Sequence, residues 1–449
     1  MKMRICGWLL VGFALVGAAC SSDSEKPGSK VAAITYWSDV APIFEQRCLS
    51  CHQEGGLGPF RLDDYESAKA HATGIRVHTQ ARTMPPYLVT ADGSCGEFQD
   101  SHWLSDDELT TIANWVKAGA PKGDDEVEVT VPELPVLEDA AVYATPVFTP
   151  EPEGSVLAEH DEYRCFLLDS GVDSLKFITA YDVEPGLDAV VHHALAMIVD
   201  PDAPASVPEQ PGLTNLELME ALDADSPDRE GWPCFGMAGD GVEVRDVPTT
   251  WAPGEGMVTY PNDSGIALKP TDKIVVQVHY NLVDQAQHGK SVQTKIKFRL
   301  ADSVENVGFF VLSDPFLGSL LSGDMPDVLP SGKSSVPYSW KQNLSDYGLD
   351  QVPGVKLYGV FPHMHERGRK YSMKLSSKGK QHCAADVQNW DFHWQHMYFY
   401  ESPFDVAADT AVNITCDYDT SADDAPTYPG WGTRNEMCFV ALYFTAPIQ

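Results

Sequence analysis

Lys273-Ile-Val-Val-Gln-Val-His-Tyr-Asn-Leu282 is a β-branched run whose apolar centre, Ile274 to Tyr280, is broken by two polar groups, Gln277 and His279. Residues i and i+2 of a strand share a face. Gln277 and His279 therefore point to one side of a strand whose other central positions, Ile274 to Tyr280, are apolar. Runs of the same texture occur at Ser174 to Thr179, Val190 to Val199, Thr294 to Leu300 and Gly354 to Val360, separated by Pro, Gly, Asn and Asp. Short strands with frequent turn residues predict all-β sandwiches rather than parallel α/β units. The stretch Phe316 to Tyr347 is rich in Ser, Gly, Pro and Asp and carries no clear period.

The chain ahead of this region differs. Lys2 and Arg4 precede a short apolar stretch, Trp8 to Val16, and Leu15-Val-Gly-Ala-Ala-Cys20 follows. This resembles a bacterial lipoprotein signal, which implies cleavage before Cys20 and lipid attachment to its sulfur. The alternative is an uncleaved anchor, but the stretch is short for a bilayer span. The expected location is the bacterial cell envelope, facing the periplasm, with Ser21 favouring the outer membrane. Residues 20–34 read as a tether. The full chain has 449 residues and a net charge of −34, from 65 acidic and 31 basic side chains. Nucleic acid is excluded as a partner, because phosphate binding requires clustered Lys and Arg.

Export places the cysteines in an oxidising compartment. Cys6 leaves with the leader and Cys20 takes lipid. Cys48-Leu-Ser-Cys51-His52 has the attachment spacing of c-type haem: two thiols for the vinyl groups and an imidazole for iron. A redox dithiol or half of a zinc site would need a βαβ context or further ligands. Ser38-Asp39 is expected to cap a helix through Arg47. Ser105-Asp-Asp-Glu108 has the form of a capping box, opening a helix that Gly119-Ala-Pro121 ends. Residues 35–124 thus resemble a small all-α class I cytochrome c. The resemblance implies Met84, in Thr-Met-Pro-Pro, as the second iron ligand, with His71, His78 and His102 as competitors. Residues 125–144 are acidic, contain prolines and read as a linker.

Six cysteines remain, Cys95, Cys165, Cys234, Cys383, Cys416 and Cys438, enough for three disulfides whose pairing spacing alone does not assign. The histidines are more informative. His363-Met364-His365 at strand spacing directs both imidazoles to one side. Adjacent His192 and His193 would point to opposite faces of a regular strand and can share a metal only with a bend. Met437 alone could equally be core, and His160, His288, His382, His393 and His396 read as structural or surface histidines.

Taken together, Arg-Cys165-Phe, Val-His192-His193, Trp251-Ala-Pro, Gln277-Val-His279-Tyr, His363-Met-His365 and Glu-Met437-Cys438 resemble the copper type II, ascorbate-dependent monooxygenases. The resemblance implies two jelly-roll-like β-sandwich domains, 145–302 and 303–449. It implies one copper at His192, His193 and His279 for electron transfer, with Gln277 beside it. It implies a second, oxygen-using copper at His363, His365 and Met437. The ligand types agree: imidazole suits both copper oxidation states, and a thioether favours Cu(I). The resemblance also pairs Cys416 with Cys438 and Cys165 with Cys234. It leaves Cys95 and Cys383 without assigned partners.

The peptide-hydroxylating members hold a substrate carboxylate with polar groups where this chain has Phe361, Phe439 and Ala441. A small apolar or aromatic substrate is therefore expected, with dioxygen as co-substrate. A periplasmic donor would feed electrons through the haem to the three-histidine copper. The alternatives are an electron-transfer or copper-handling lipoprotein that does not hydroxylate, and a structural sandwich that binds neither copper nor haem.

Overall fold

The computed structural model describes residues 34–448 apart from 57, 125, 128, 134–135, 154–159, 208–209, 235–236, 253–254, 322–325 and 432–433. The leader and Cys20 lie outside the described residues. A π-helical turn, Tyr36–Val40, leads into α1 (Ala41–Arg47), followed by α2 (Tyr65–Gln80) and α3 (Asp106–Lys117). Strands follow: β1 (Ala141–Ala144), β2 (Asp161–Asp169), β3 (Lys176–Glu184) and β4 (Val191–Val199), then α4 (Asn215–Ala224). Next come β5 (Trp232–Pro233), β6 (Asp246–Trp251), β7 (Val258–Thr259), β8 (Ser264–Leu268), β9 (Lys273–Asn281) and β10 (Lys295–Ala301). The remainder holds β11 (Asn306–Ser313), α5 (Pro315–Leu321), β12 (Val336–Asn343), β13 (Lys356–His363), β14 (Gly368–Ser377), β15 (Lys380–Val387), β16 (Tyr398–Asp405), β17 (Ala411–Tyr418) and β18 (Phe439–Pro447).

Each of the five anticipated runs overlaps a strand, and β3, β10 and β13 extend beyond the anticipated ends. The first helix starts earlier than expected. Its cap is Thr35, whose Oγ1 accepts from Ser38 N at 3.4 Å, and Asp39 returns an acceptor to Thr35 N at 2.7 Å. The Ser105/Glu108 box forms in both directions. Helix α2 has no counterpart in the sequence reading. Its buried side is Tyr65, Ala68, Ala72, Ile75 and Thr79, too small and polar to make an apolar stripe. These helices share a core of Tyr36, Phe44, Leu62, Ile112 and Trp115.

The stretch from Tyr87 to Gln99 leaves that core. Val89 bridges to Val387 and Phe98 to Tyr400, and both pack in the core that includes Tyr371, Trp390 and Leu442. Cys95 is disulfide-bonded to Cys383 in β15. The helical segment is therefore stapled to the last sandwich as well as tethered through the linker. The final four linker residues form β1, which pairs with β10.

Most of the described chain is β-sheet. A nine-stranded sheet runs β1-β10-β3-β8-β11-β18-β13-β16, with β7 beside β3. Its β1-to-β8 half packs on the five-stranded sheet β5-β2-β9-β4-β6, through Phe166, Ile178, Ile198, Val276 and Phe298. Its β11-to-β16 half packs on the four-stranded sheet β12-β17-β14-β15, through Leu357, Val360, Met373, Ile414 and Leu442. The halves meet in a parallel pairing of Asn306 with Ser264 and Val307 with Gly265. Tyr443 of β18 joins the first core, and its hydroxyl meets Ser264 Oγ at 2.7 Å. One face of β13 and β18 is therefore turned towards the first sandwich.

Candidate copper centres

His279 lies on β9, paired with Tyr163 on one side and with His193 of β4 on the other. Val191 pairs with Tyr280 and His193 with His279, so His192 is an extra residue in the β4 ladder. A β-bulge bends the strand and re-aims the residue it inserts. This is the bend that two adjacent histidine ligands require. The ligand nitrogens of His192, His193 and His279 lie within 4.8 Å of one another.

The hydrogen bonds decide which nitrogens converge. His279 Nε2 contacts Asp161 Oδ1 at 2.9 Å, while its Nδ1 faces His193 Nδ1 at 3.3 Å. The Asp161 carboxylate accepts a hydrogen bond from Nε2–H, which keeps the proton on Nε2 and leaves a lone pair on Nδ1. His192 Nδ1 is buried with no hydrogen-bond partner. An orphaned buried nitrogen beside a cluster of lone pairs is what a cation site leaves behind. Burial drives the His192 pKa down to about 4 and lowers those of His193 and His279, so all three stay neutral, the ligating form. Tyr163 stacks on His279 at 4.0 Å and fixes the ring plane. Gln277, two residues before His279, donates to the carbonyl of Met237 at 2.7 Å and Cys234 at 3.3 Å. It thereby ties β9 to the Cys165–Cys234 disulfide.

The second set lies across the junction. His363 ends β13 opposite Phe439, and Phe361 is opposite Ala441. Directly paired residues share a face, so these four side chains line the side turned towards the first sandwich. His365 Nδ1 donates to the Asn435 carbonyl at 3.0 Å, which leaves its Nε2 lone pair free. Gln395 Nε2 donates to the Phe392 carbonyl at 2.8 Å, so Gln395 Oε1 faces His363 Nδ1 at 2.5 Å. His363 therefore also presents Nε2. Burial lowers the pKa values of His363 and His365 to about 4 and about 3.

Glu436 locks the two ligand loops together, accepting from His365 N at 2.9 Å and Arg367 N at 2.7 Å. Its carboxyl is fully buried and pushed up to about 8. Met437 follows it and is buried. The Met437 carbonyl accepts from Tyr418 Oη at 2.7 Å, and the adjoining Cys438 is bonded to Cys416. The three histidines of the first set, and His363 with His365 of the second, thus offer imidazole lone pairs that suit copper, and the outer nitrogens of His279, His363 and His365 are hydrogen-bonded.

Asp161, Gln395 and Phe392 are absent from the sequence reading, and Glu436 appears there only as a letter of the Glu-Met437-Cys438 word, without a role. Their only local signals are Asp161 opening a strand and Glu436 beside Met437. Around His363 stand Phe361 at 6.3 Å and Phe439 at 5.8 Å between ring centroids.

In the helical segment, Cys48 and Cys51 are the free cysteines among the described residues, whereas six others are bridged. His52 Nδ1 donates to the Phe60 carbonyl at 2.9 Å, leaving Nε2 for a ligand. The residues thus fit a covalently held haem, and burial pushes the Cys48 thiol up to about 12. His71 and His78 are exposed. His102 is half-buried, with an unpartnered Nδ1, and shares a small pocket with Met84, Arg82 and Trp103.

Residues 328–449, which contain His363, His365 and Met437, match the model of the copper type II ascorbate-dependent monooxygenase, C-terminal domain. The chain is 26% identical over 213 residues to tyramine beta-hydroxylase of Caenorhabditis briggsae, covering 44% of this chain and 34% of that protein. It is 23% identical over 205 residues to DBH-like monooxygenase protein 1 of Gallus gallus, covering 43% and 32%. The chain thus spans about a third of the length of these curated relatives. The matches support an oxidoreductase of the copper monooxygenase class.

Proposed function

We propose that this chain is a copper- and dioxygen-dependent monooxygenase that hydroxylates a C–H bond of a small apolar or aromatic substrate. The observation that carries the reading is the pair of neutral histidine sets, one on each sandwich, with the outer nitrogens of His279, His363 and His365 already hydrogen-bonded. Copper held by His192, His193 and His279, and by His363, His365 and Met437, would supply one-electron redox chemistry and dioxygen activation. The chain supplies the rest. Asp161, Gln395 and the Asn435 carbonyl hold the ring orientations, Glu436 holds the loops in register, and burial keeps every imidazole unprotonated. Phe361 and Phe439 put apolar walls against His363, which favours an uncharged substrate and excludes water.

A c-type haem would be held by Cys48, Cys51 and His52, with Met84 as a second iron ligand, and would supply one-electron transfer towards the three-histidine copper. Two contacts support this. The Cys95–Cys383 bond ties the helical segment to the second sandwich, and Tyr87 lies edge-on to Tyr398 at 5.2 Å. Tyr398 opens β16, directly after the loop that carries Phe392 and Gln395. Lipid on Cys20 would hold the enzyme at a bacterial envelope membrane, facing a periplasmic donor. Copper-loaded protein should take up oxygen only with substrate, and Met437→Ala should abolish that uptake. Oxygen uptake that survives this substitution overturns the reading. Reduced haem should be oxidised in stopped flow by wild type with oxygen and substrate, and not by His279→Ala; equal rates would remove the haem route.

A further inference from the structure

We propose that Phe392 is a specificity-determining residue, a wall shared by the two ligand sets that limits the size of the molecule reaching His363 and His365. The inference rests on the monooxygenase reading. Phe392 sits in the loop between β15 and β16, which crosses the junction of the sandwiches. Its ring stacks on His192 at 5.2 Å and 28°, and stands edge-on to His365 at 5.8 Å and 77°. Those two histidines belong to different sandwiches and different ligand sets.

The ring is held there. Gln395, which fixes His363, also takes the Phe392 carbonyl at 2.8 Å. Trp394 N donates to the Asp391 carbonyl at 3.2 Å, and His393 N to Asp391 Oδ1 at 3.0 Å. From the first sandwich, Glu255 Oε1 accepts from Met397 N at 3.4 Å and ties down the end of the loop. Yet Phe392 is only half-buried, so its outer edge faces accessible space. Phe361 and Phe439 stand beside His363, and Phe392 stands beside His365, so each histidine of this set has an aromatic neighbour. Phe361 is on β13 and Phe439 on β18, both fixed by sheet pairing. Phe392 alone is on a loop and alone reaches the other ligand set. A bulky molecule approaching from the junction meets this ring first.

The test uses the full-length, copper-loaded chain and two probe ligands, imidazole and 4-phenylimidazole, with binding followed by the Cu(II) paramagnetic resonance spectrum. Wild type should bind imidazole and discriminate against its phenyl derivative. Phe392→Ala should raise affinity for 4-phenylimidazole by at least about tenfold, the scale on which apolar pockets discriminate by shape, with imidazole binding unchanged. Phe392→Leu should move the same way by less, and it carries the measurement if the alanine variant loses copper. Unchanged selectivity in a copper-replete variant overturns the proposal and leaves the monooxygenase reading standing. A wild-type chain that holds no copper overturns that reading instead.

Discussion

Asp161→Ala should weaken copper binding at the three-histidine cluster without touching a ligand. The Asp161 carboxylate is buried, accepts His279 Nε2–H at 2.9 Å, and has Asn281 Nδ2 at 3.3 Å as a second donor. Removing it leaves the His279 N–H without an acceptor in a buried place. The proton can then move to Nδ1, the nitrogen that faces His193. Loss of such an outer partner typically weakens metal binding about 10- to 100-fold, or about 1.4 to 2.7 kcal/mol. Asp161→Asn keeps an oxygen for the same N–H and should lose only a small part of this. The assay is Cu(I) competition against a chromogenic chelator, performed in a His363→Ala/His365→Ala background so that one site is read. An unchanged dissociation constant in Asp161→Ala would refute the assignment of Nδ1 as the binding atom.

Further outcomes are expected away from the metals. Removing the Cys95–Cys383 bridge with a double alanine variant should cost roughly 2–4 kcal/mol in chemical denaturation, and should expose the Tyr87–Gln99 stretch to limited proteolysis. Gly308 pairs with Thr445 beneath Tyr443, and a Cβ there would collide with the Tyr443 hydroxyl. Gly308→Ala should cost about 1–3 kcal/mol in denaturation, with partial recovery in Gly308→Ala/Tyr443→Phe. Glu255 is buried and its carboxyl is pushed up from 4.5 to about 8. The folded state then binds the proton more tightly than the unfolded state. The Glu255 contribution to stability, read as the difference between wild type and Glu255→Gln, should fall between about pH 4.5 and pH 8 by about 1.4 kcal/mol per pH unit. Glu255→Gln should match wild type near pH 5 and exceed it above pH 8, as read by denaturation at both values.

How much of this was legible in the sequence depends on how far each signal reaches. Gln277 and His279 sit two apart, and the strand period alone places them on one face. The capping box at Ser105 is equally local, because both partners lie within four residues. His192 and His193 were harder: adjacency argues against a shared site until the β4 bulge is seen, and no residue type nearby announces it. The outer partners were illegible for another reason. Asp161 meets His279 across 118 positions, and Gln395 meets His363 across 32, so only the folded sheets bring them together. The Cys95–Cys383 bond spans 288 positions and joins what reads as a separate helical unit to the last sandwich. The short parallel contact of β8 with β11 makes one sheet of two sandwiches and leaves no periodic trace.

The central claim is two copper sites of unequal composition, and metal analysis of the purified full-length chain tests it most directly. Two coppers per chain are expected, falling to one in His192→Ala/His193→Ala and to one in His363→Ala/His365→Ala, with each variant retaining the other site's spectrum. A wild-type content of one copper or none, or a content unaffected by either pair of substitutions, would contradict it.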